Sequence, residues 1–221
     1  TDSTDKGFQP HGKQVLEPHG IWYTPVTGIW QTVWIEPVPA ANHIAGITTR
    51  SDIRAGVLSV DVKTARTGSD RVCVTLSADG KTLAERSSMA GQPVHLAVEH
   101  PRLWSPDDPY LYDLTVTLVR DGRVIDLSLI HISELREIAT GRDANGIERM
   151  TLNGRPLFHF GPLDQGWWPD GLYTAPTDEA LLYDIRFTKQ LGFNMIRKHI
   201  KVEPERWYWH CDREGILVWQ D

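Results

Sequence analysis

Three polar side chains, Arg197, Lys198 and His199, interrupt the otherwise apolar-rich residues 193–200, and Asp221 follows a second apolar run at residues 216–219. Basic, imidazole and carboxylate groups of this kind become a pocket when they stand at the carboxyl ends of parallel strands, on the rim where α/β barrel enzymes keep their chemistry. The intervening residues supply the element that would align them. Glu203-Pro204 reads as a helix start, with proline at a first helical position where its missing N–H has no partner to lose. Gly215 reads as the helix end, because glycine takes the left-handed conformation needed there. Ile216-Leu217-Val218-Trp219 is continuous apolar sequence, as in a strand buried on both faces of a parallel sheet. The unit is therefore strand, helix, strand. Glu203 and Glu205 are read as helix-start charges and not as a catalytic pair.

The same pattern begins earlier. Leu152-Asn153-Gly154-Arg155 is a hairpin turn, since Asn-Gly takes the positive backbone angles such a turn requires. Residues 157–160 are expected to start a buried strand that ends at Gly161-Pro162-Leu163-Asp164-Gln165. A loop through Trp167, Trp168 and Asp170 leads to Thr177, a capping residue followed by Asp178 and Glu179 against the positive end of a helix dipole. Leu181, Leu182, Ile185 and Leu191 give that helix an apolar stripe, and Gly192 ends it. Three strands and two helices open an α/β fold, but three strands cannot close a barrel of eight.

The middle of the chain is all β. Leu58/Val60/Val62, Val72/Val74/Leu76, Val94/Leu96/Val98 and Leu114/Val116/Leu118 each alternate with polar or small residues, and Asp79-Gly80 and Asp121-Gly122 are turn signals between such runs. About a hundred residues of this pattern predict a two-sheet sandwich of immunoglobulin type. Pro101 to Tyr112 contains three prolines and is expected to close a sandwich edge with Trp104 and Tyr110. Before it, residues 28–35 alternate as a strand with two different faces, ended by Glu36-Pro37-Val38-Pro39.

Composition narrows the function. Charged residues make up 24% and hydrophobic ones 40%, a globular balance, and the formal net charge of −6 is unlike a nucleic-acid binder, which clusters lysine and arginine. No apolar run approaches the ~20 residues of a membrane span. Cys73 and Cys211 lie in different units, so neither a disulfide nor a metal-ligand pair is read from them, and no cofactor is expected. The polar start lacks a secretory apolar core. Nine tryptophans are the unusual feature. Most such rings pack cores, but carbohydrate sites also stack them on the apolar faces of sugars.

Four motifs occur in a telling order: Thr27-Gly28-Ile29-Trp30-Gln31-Thr32-Val33-Trp34, then Leu103-Trp104-Ser105-Pro106-Asp107-Asp108-Pro109-Tyr110-Leu111-Tyr112, then Leu152-Asn153-Gly154-Arg155-Pro156, then Gly192-Phe193-Asn194-Met195-Ile196-Arg197-Lys198-His199. In this register the chain resembles glycoside hydrolase family 2, the β-galactosidases, β-glucuronidases and β-mannosidases. The resemblance implies an internal slice of such an enzyme. Residues 1–42 would be the C-terminal part of a jelly-roll sugar-binding domain, 43–145 an immunoglobulin-like β-sandwich, and 146–221 the first part of a (β/α)8 catalytic barrel. It implies retaining hydrolysis by two glutamates held ~5–5.5 Å apart. The acid/base of the family follows an asparagine, and no Asn-Glu pair occurs in this sequence. Both catalytic groups are therefore expected beyond Asp221, and the slice alone is expected to be inactive.

What the resemblance places in the chain is part of a sugar pocket: Arg197, His199, Asp164, Trp167 and Asp221. Each has a plainer reading. Arg197 could be an ion-pair partner in the barrel, His199 a packed ring, Asp164 a cap on the following loop, and Trp167, like Trp168, loop packing. The family's aromatic-Gly-hydrophobic-Arg motif at the sandwich end is replaced by Asp126-Leu127-Ser128-Leu129-Ile130-His131-Ile132-Ser133-Glu134-Leu135-Arg136, so an altered strand is expected there. A different reading is a non-catalytic carbohydrate-binding sandwich. Sugar specificity, compartment and homo-oligomerisation of a longer parent stay open.

Overall fold

The computed structural model describes residues 11–221, with the backbone alone for 130–133. The first ten residues of the polar start, and the side chains at the centre of the altered segment, lie outside the described residues. By its contacts the chain divides into two compact units, Glu36–Phe158 and a second one made of His159–Asp221 with the residues up to Ile35.

The Glu36–Phe158 unit is a two-sheet sandwich. One sheet has the order β1-β2-β5, formed by Ile44–Asp52, Val57–Thr64 and Val94–Ala97. The other has the order β4-β3-β6-β7, formed by Lys81–Met89, Arg71–Ala78, Tyr112–Arg120 and Arg123–Ser133. All pairings are antiparallel. The alternating apolar sets face inward as the pleat demands: Leu58, Val60, Val72, Val74, Leu76, Leu96, Leu114, Val116 and Leu118 form one buried cluster. Both Asp-Gly turns carry the expected positive φ, +50° and +74° at Asp79-Gly80 and +49° and +74° at Asp121-Gly122. Trp104 is fully buried, with its N–H donated to Leu135 O and the Arg136 guanidinium 4.5 Å above its ring. The proline-rich loop thus seals the sandwich with Trp104, as expected. β7 runs unbroken through the altered segment, with register shifts against β6. A small sheet completes the unit, β8 (Ile138–Arg142), β9 (Glu148–Leu152) and β10 (Arg155–Pro156), its hairpin turning at Asn153-Gly154 with φ +53° and +75°.

In the other unit, β11 (Leu163–Asp164), β12 (Met195–Lys198) and β13 (Leu217–Gln220) pair in parallel, in that order. They alternate with α1 (Asp178–Gln190) and α2 (Glu205–Glu214). The Thr177 hydroxyl caps α1 by accepting the Ala180 N–H at 3.1 Å. Gly215, at φ +74°, ends α2. Leu181 and Ile185 of α1, Trp207 and Cys211 of α2, and Ile196 and Ile216 form the core between helices and sheet.

Three local expectations move. The first strand of this unit lies at Leu163–Asp164 and not at 157–160, where Phe158 and Phe160 are exposed. Phe160 O already accepts the Asn194 N–H at 3.0 Å, and Gly161 then passes so close to Met195 O that no side chain fits there. The regular ladder, however, is confined to Leu163–Asp164. α2 starts one residue later than expected, with Pro204 as its N-cap. Residues 28–35 form no strand among the described residues. An alternating run without a ladder partner cannot satisfy its own N–H and C=O groups as a strand.

Candidate active site

Strand alternation sorts the residues of the parallel sheet onto two faces. Ile196 and Val218 pack with the helices, and the Lys198 ammonium lies 4.2 Å above the Trp207 ring of α2. Arg197, His199, Trp219 and Asp221 therefore belong to the opposite, helix-free face. There the structure joins three of the expected site residues. The Asp221 carboxylate accepts from Nε (2.9 Å) and Nη2 of Arg197 and from Nδ1 of His199 at 2.9 Å. Its own main chain is fixed by Ile200 N–H donating to Asp221 O (3.0 Å) and Asp221 N–H donating to Lys198 O (3.2 Å). The Arg197 hydrogen bonds foremost, then that of His199, hold the Asp221 carboxyl below the usual carboxylate range. Within these 221 residues the Arg197 and Asp221 side chains are 46% and 42% exposed.

Asp164 and Trp167 are placed differently. Asp164 turns to the helix side, accepting from Lys198 Nζ and from Gly166 N–H at 2.7 Å. It thus caps its own loop. Lys198 and Lys201 both reach Glu203 Oε1 at 3.0 Å, and Lys201 Nζ donates to Gly166 O at 2.7 Å. All three charged groups are buried. Burial pulls the Lys201 ammonium below its ordinary range. Tyr173 and Trp30 lie 4.7 and 5.0 Å from that ammonium. This network was not foreseen, since a lysine and a glutamate in a loop look like solvated charges. The one available signal was Lys198 inside an apolar strand. Trp167 stacks on Tyr23, with centroids 4.3 Å apart and planes 8° apart, while the Tyr23 hydroxyl donates to Gln165 at 2.8 Å.

A cavity of about 410 Å³ lies along β11 and α1, lined by Tyr23, Asp164, Gln165, Trp167, Asp184 and Thr188 among others. Burial, reinforced by Asp164, raises the Asp184 carboxyl. Among the described residues no three His, Cys, Asp or Glu side chains group as a metal site. No helix there is long and apolar enough to cross a membrane.

Residues 42–129 match the family model described as glycosyl hydrolases family 2. A β-galactosidase of Lactococcus lactis is 26% identical over 208 residues, and a putative β-glucuronidase of Formosa agariphila 30% over 217; each alignment covers 92% of this chain and 20% of the relative. Among solved structures, a Bifidobacterium dentium β-glucuronidase has a TM-score of 0.72 at 22% identity over 81% of this chain and 31% of its own. A glycosyl hydrolase family 2 member from Bacteroides cellulosilyticus has 0.64 at 25% identity over 80% and 26%. The chain belongs to glycosyl hydrolases family 2. It spans about a fifth of the length of the curated relatives it matches.

Proposed function

We propose that this chain is part of a retaining exo-β-glycosidase that hydrolyses terminal β-linked sugars. Residues 1–42 would close a jelly-roll domain, 43–145 form the immunoglobulin-like sandwich, and 146–221 supply the first strands of a (β/α)8 barrel. The observation that carries this reading is the Arg197–His199–Asp221 cluster at the carboxyl ends of adjacent parallel strands, on the face turned away from the helices. A rim of this kind binds and orients a sugar. Hydrolysis needs two further carboxyl groups, one to protonate the leaving oxygen and one to attack the anomeric carbon. Asp221 is unsuited to the acid role, because its carboxyl is held ionised by Arg197 and His199. The two glutamates are therefore assigned to residues outside these 221.

The test is to incubate the chain with 4-nitrophenyl β-galactoside, β-glucuronide and β-mannoside, and to titrate it with the corresponding methyl glycosides. No nitrophenol release is expected, while sugar-dependent NMR shifts concentrate at the ends of β12 and β13. Turnover by the chain itself would overturn the assignment of the glutamates. Shifts confined to Glu36–Phe158 would favour a carbohydrate-binding sandwich instead.

A further inference from the structure

The small sheet of the Glu36–Phe158 unit turns twice on an Asn-Gly pair, at Asn145-Gly146 between β8 and β9 and at Asn153-Gly154 between β9 and β10. This dipeptide is chemically fragile. Glycine has no Cβ, so its amide nitrogen can reach the side-chain amide carbon of the preceding asparagine. What separates the two sites is how that amide is held. Asn153 Oδ1 accepts the Glu137 N–H at 3.0 Å, and Asn153 Nδ2 donates to Trp104 O at 2.9 Å. Both ends of its amide are tied. Asn145 is exposed, and its side chain has no hydrogen-bond partner among the described residues. A Cβ placed on Gly146 would meet nothing within 4 Å, so the approach is open. The restraint on this turn lies in its main chain. Gly146 N–H donates to Asp143 O at 2.9 Å, and Asp143 Oδ1 accepts the N–H groups of Asn145 (2.9 Å) and Ile147 (3.0 Å). Bonds at an exposed hairpin tip open more readily than those of a core strand.

We propose that Asn145 is a site of spontaneous deamidation in the folded chain, gated by the Asp143 turn, and that Asn153 is protected. The inference is independent of the glycosidase reading. When the turn opens, the Gly146 nitrogen gives its proton to a base in solution and attacks Asn145 Cγ. A C–N bond forms, the Cγ–Nδ2 bond breaks, and Nδ2 leaves as ammonia. Water then opens the five-membered imide. Attack at the main-chain carbonyl of residue 145 gives isoaspartate, and attack at Cγ gives aspartate. The net change is amide plus water to carboxylate plus ammonium, with no oxidant or reductant. Either product places a new negative charge two residues from Asp143. Isoaspartate also routes the main chain through Cβ and Cγ, lengthening it by one carbon. The three bonds to Asp143 then no longer fit together, and the β8–β9 tip frays.

The experiment incubates the full 221-residue chain in mildly alkaline buffer and follows both sites by peptide mapping and mass spectrometry. The Asn145 peptide should split into aspartyl and isoaspartyl forms, while the Asn153 peptide stays unchanged. In guanidinium chloride both should convert, because unfolding releases the Asn153 amide. Asn145→Gln should show no new species, since a six-membered imide closes far more slowly. Asp143→Ala removes the acceptor for two main-chain N–H groups and should speed conversion about tenfold. Arg149→Ala frees only Asp143 Oδ2, which now accepts from Arg149 Nε at 3.0 Å, and should speed it less. Circular-dichroism melts matching the unaltered chain verify that each variant is folded. Hydrogen exchange should quicken at Gly146 and Ile147 in the converted material. Conversion of Asn153 as fast as Asn145 in the folded chain, or of Asn145 only in guanidinium chloride, overturns the proposal. An unchanged or slower rate in both Asp143→Ala and Arg149→Ala overturns the gating by the turn.

Discussion

Replacing Gly166 by alanine should unfold the parallel-sheet unit selectively, and the size of the effect follows from the geometry. Gly166 has φ +67°, where an L side chain costs about 1–2 kcal/mol. A Cβ there would stand 2.4 Å from Glu203 Oε1 and 2.6 Å from Lys201 Cδ, so one of these must move. Neither moves cheaply. Glu203 Oε1 is the shared partner of Lys198 and Lys201, and breaking a buried pair of this kind costs about 3–5 kcal/mol. Together these give about 4–7 kcal/mol, against a typical domain stability of about 5–15 kcal/mol. Gly192→Ala is the internal control. Its φ is +85°, but nothing lies within 4 Å of the added Cβ, so only the backbone contribution of about 1–2 kcal/mol applies. Urea unfolding followed by tryptophan fluorescence is suited to the question, because of nine tryptophans only Trp104 lies in Glu36–Phe158. With a slope of about 2 kcal/mol per M, Gly166→Ala should lower the midpoint by about 2 M or more and Gly192→Ala by less than about 1 M. Equal shifts for the two would refute the argument that the buried charges clamp this turn.

Further outcomes follow from the same packing. Gly161→Ala should abolish the β11–β12 pairing, since its Cβ would fall 1.6 Å from Met195 O; loss of amide protection at Arg197 and His199 would show it. Leu76→Ala should destabilise the sandwich by about 2–5 kcal/mol in circular-dichroism melts, because Leu76 is fully buried. Asp70, held at a pKa of about 2 chiefly by its Arg120 hydrogen bonds, has a folded value below its ordinary 3.8. Its contribution is therefore present above about pH 4 and lost as pH falls toward 2. Asp70→Asn should remove that part of the acid sensitivity and lower stability at neutral pH. Burial raises the Cys211 thiol well above its usual range, so iodoacetamide at pH 8 should label it only after unfolding.

Much of this fold was legible because periodicity and turn chemistry agreed. The inward sets of β2, β3, β5 and β6, both Asp-Gly turns, the Thr177 cap and Gly215 each depend on neighbours a few residues away in sequence. The parallel order of the C-terminal strands was likewise carried by helix-length spacers between apolar runs. What failed depended on distant partners. Residues 157–160 are mostly apolar, yet the ladder forms at Leu163–Asp164, where the partner strand Arg197–Lys198 lies. Arg197 and His199 could be picked out as unusual strand residues. Asp221 stood out as well, as a carboxylate after an apolar run, but its bonds to both did not, because only the register of β12 against β13 brings the three together. Asp164 looked equivalent to these residues by position, but strand alternation turns it to the helix side. The burial of Lys198, Lys201 and Glu203 together was hidden for the same reason.

The central claim is that these strands open the catalytic barrel of a β-glycosidase. Its most direct test is the coding sequence that follows Asp221, expressed in full and assayed on chromogenic β-glycosides. The account expects further strand–helix repeats, an Asn-Glu pair and a second glutamate at later strand ends, and hydrolysis with retention at the anomeric carbon. A stop codon directly after Asp221, or a completed barrel without those glutamates, would contradict it.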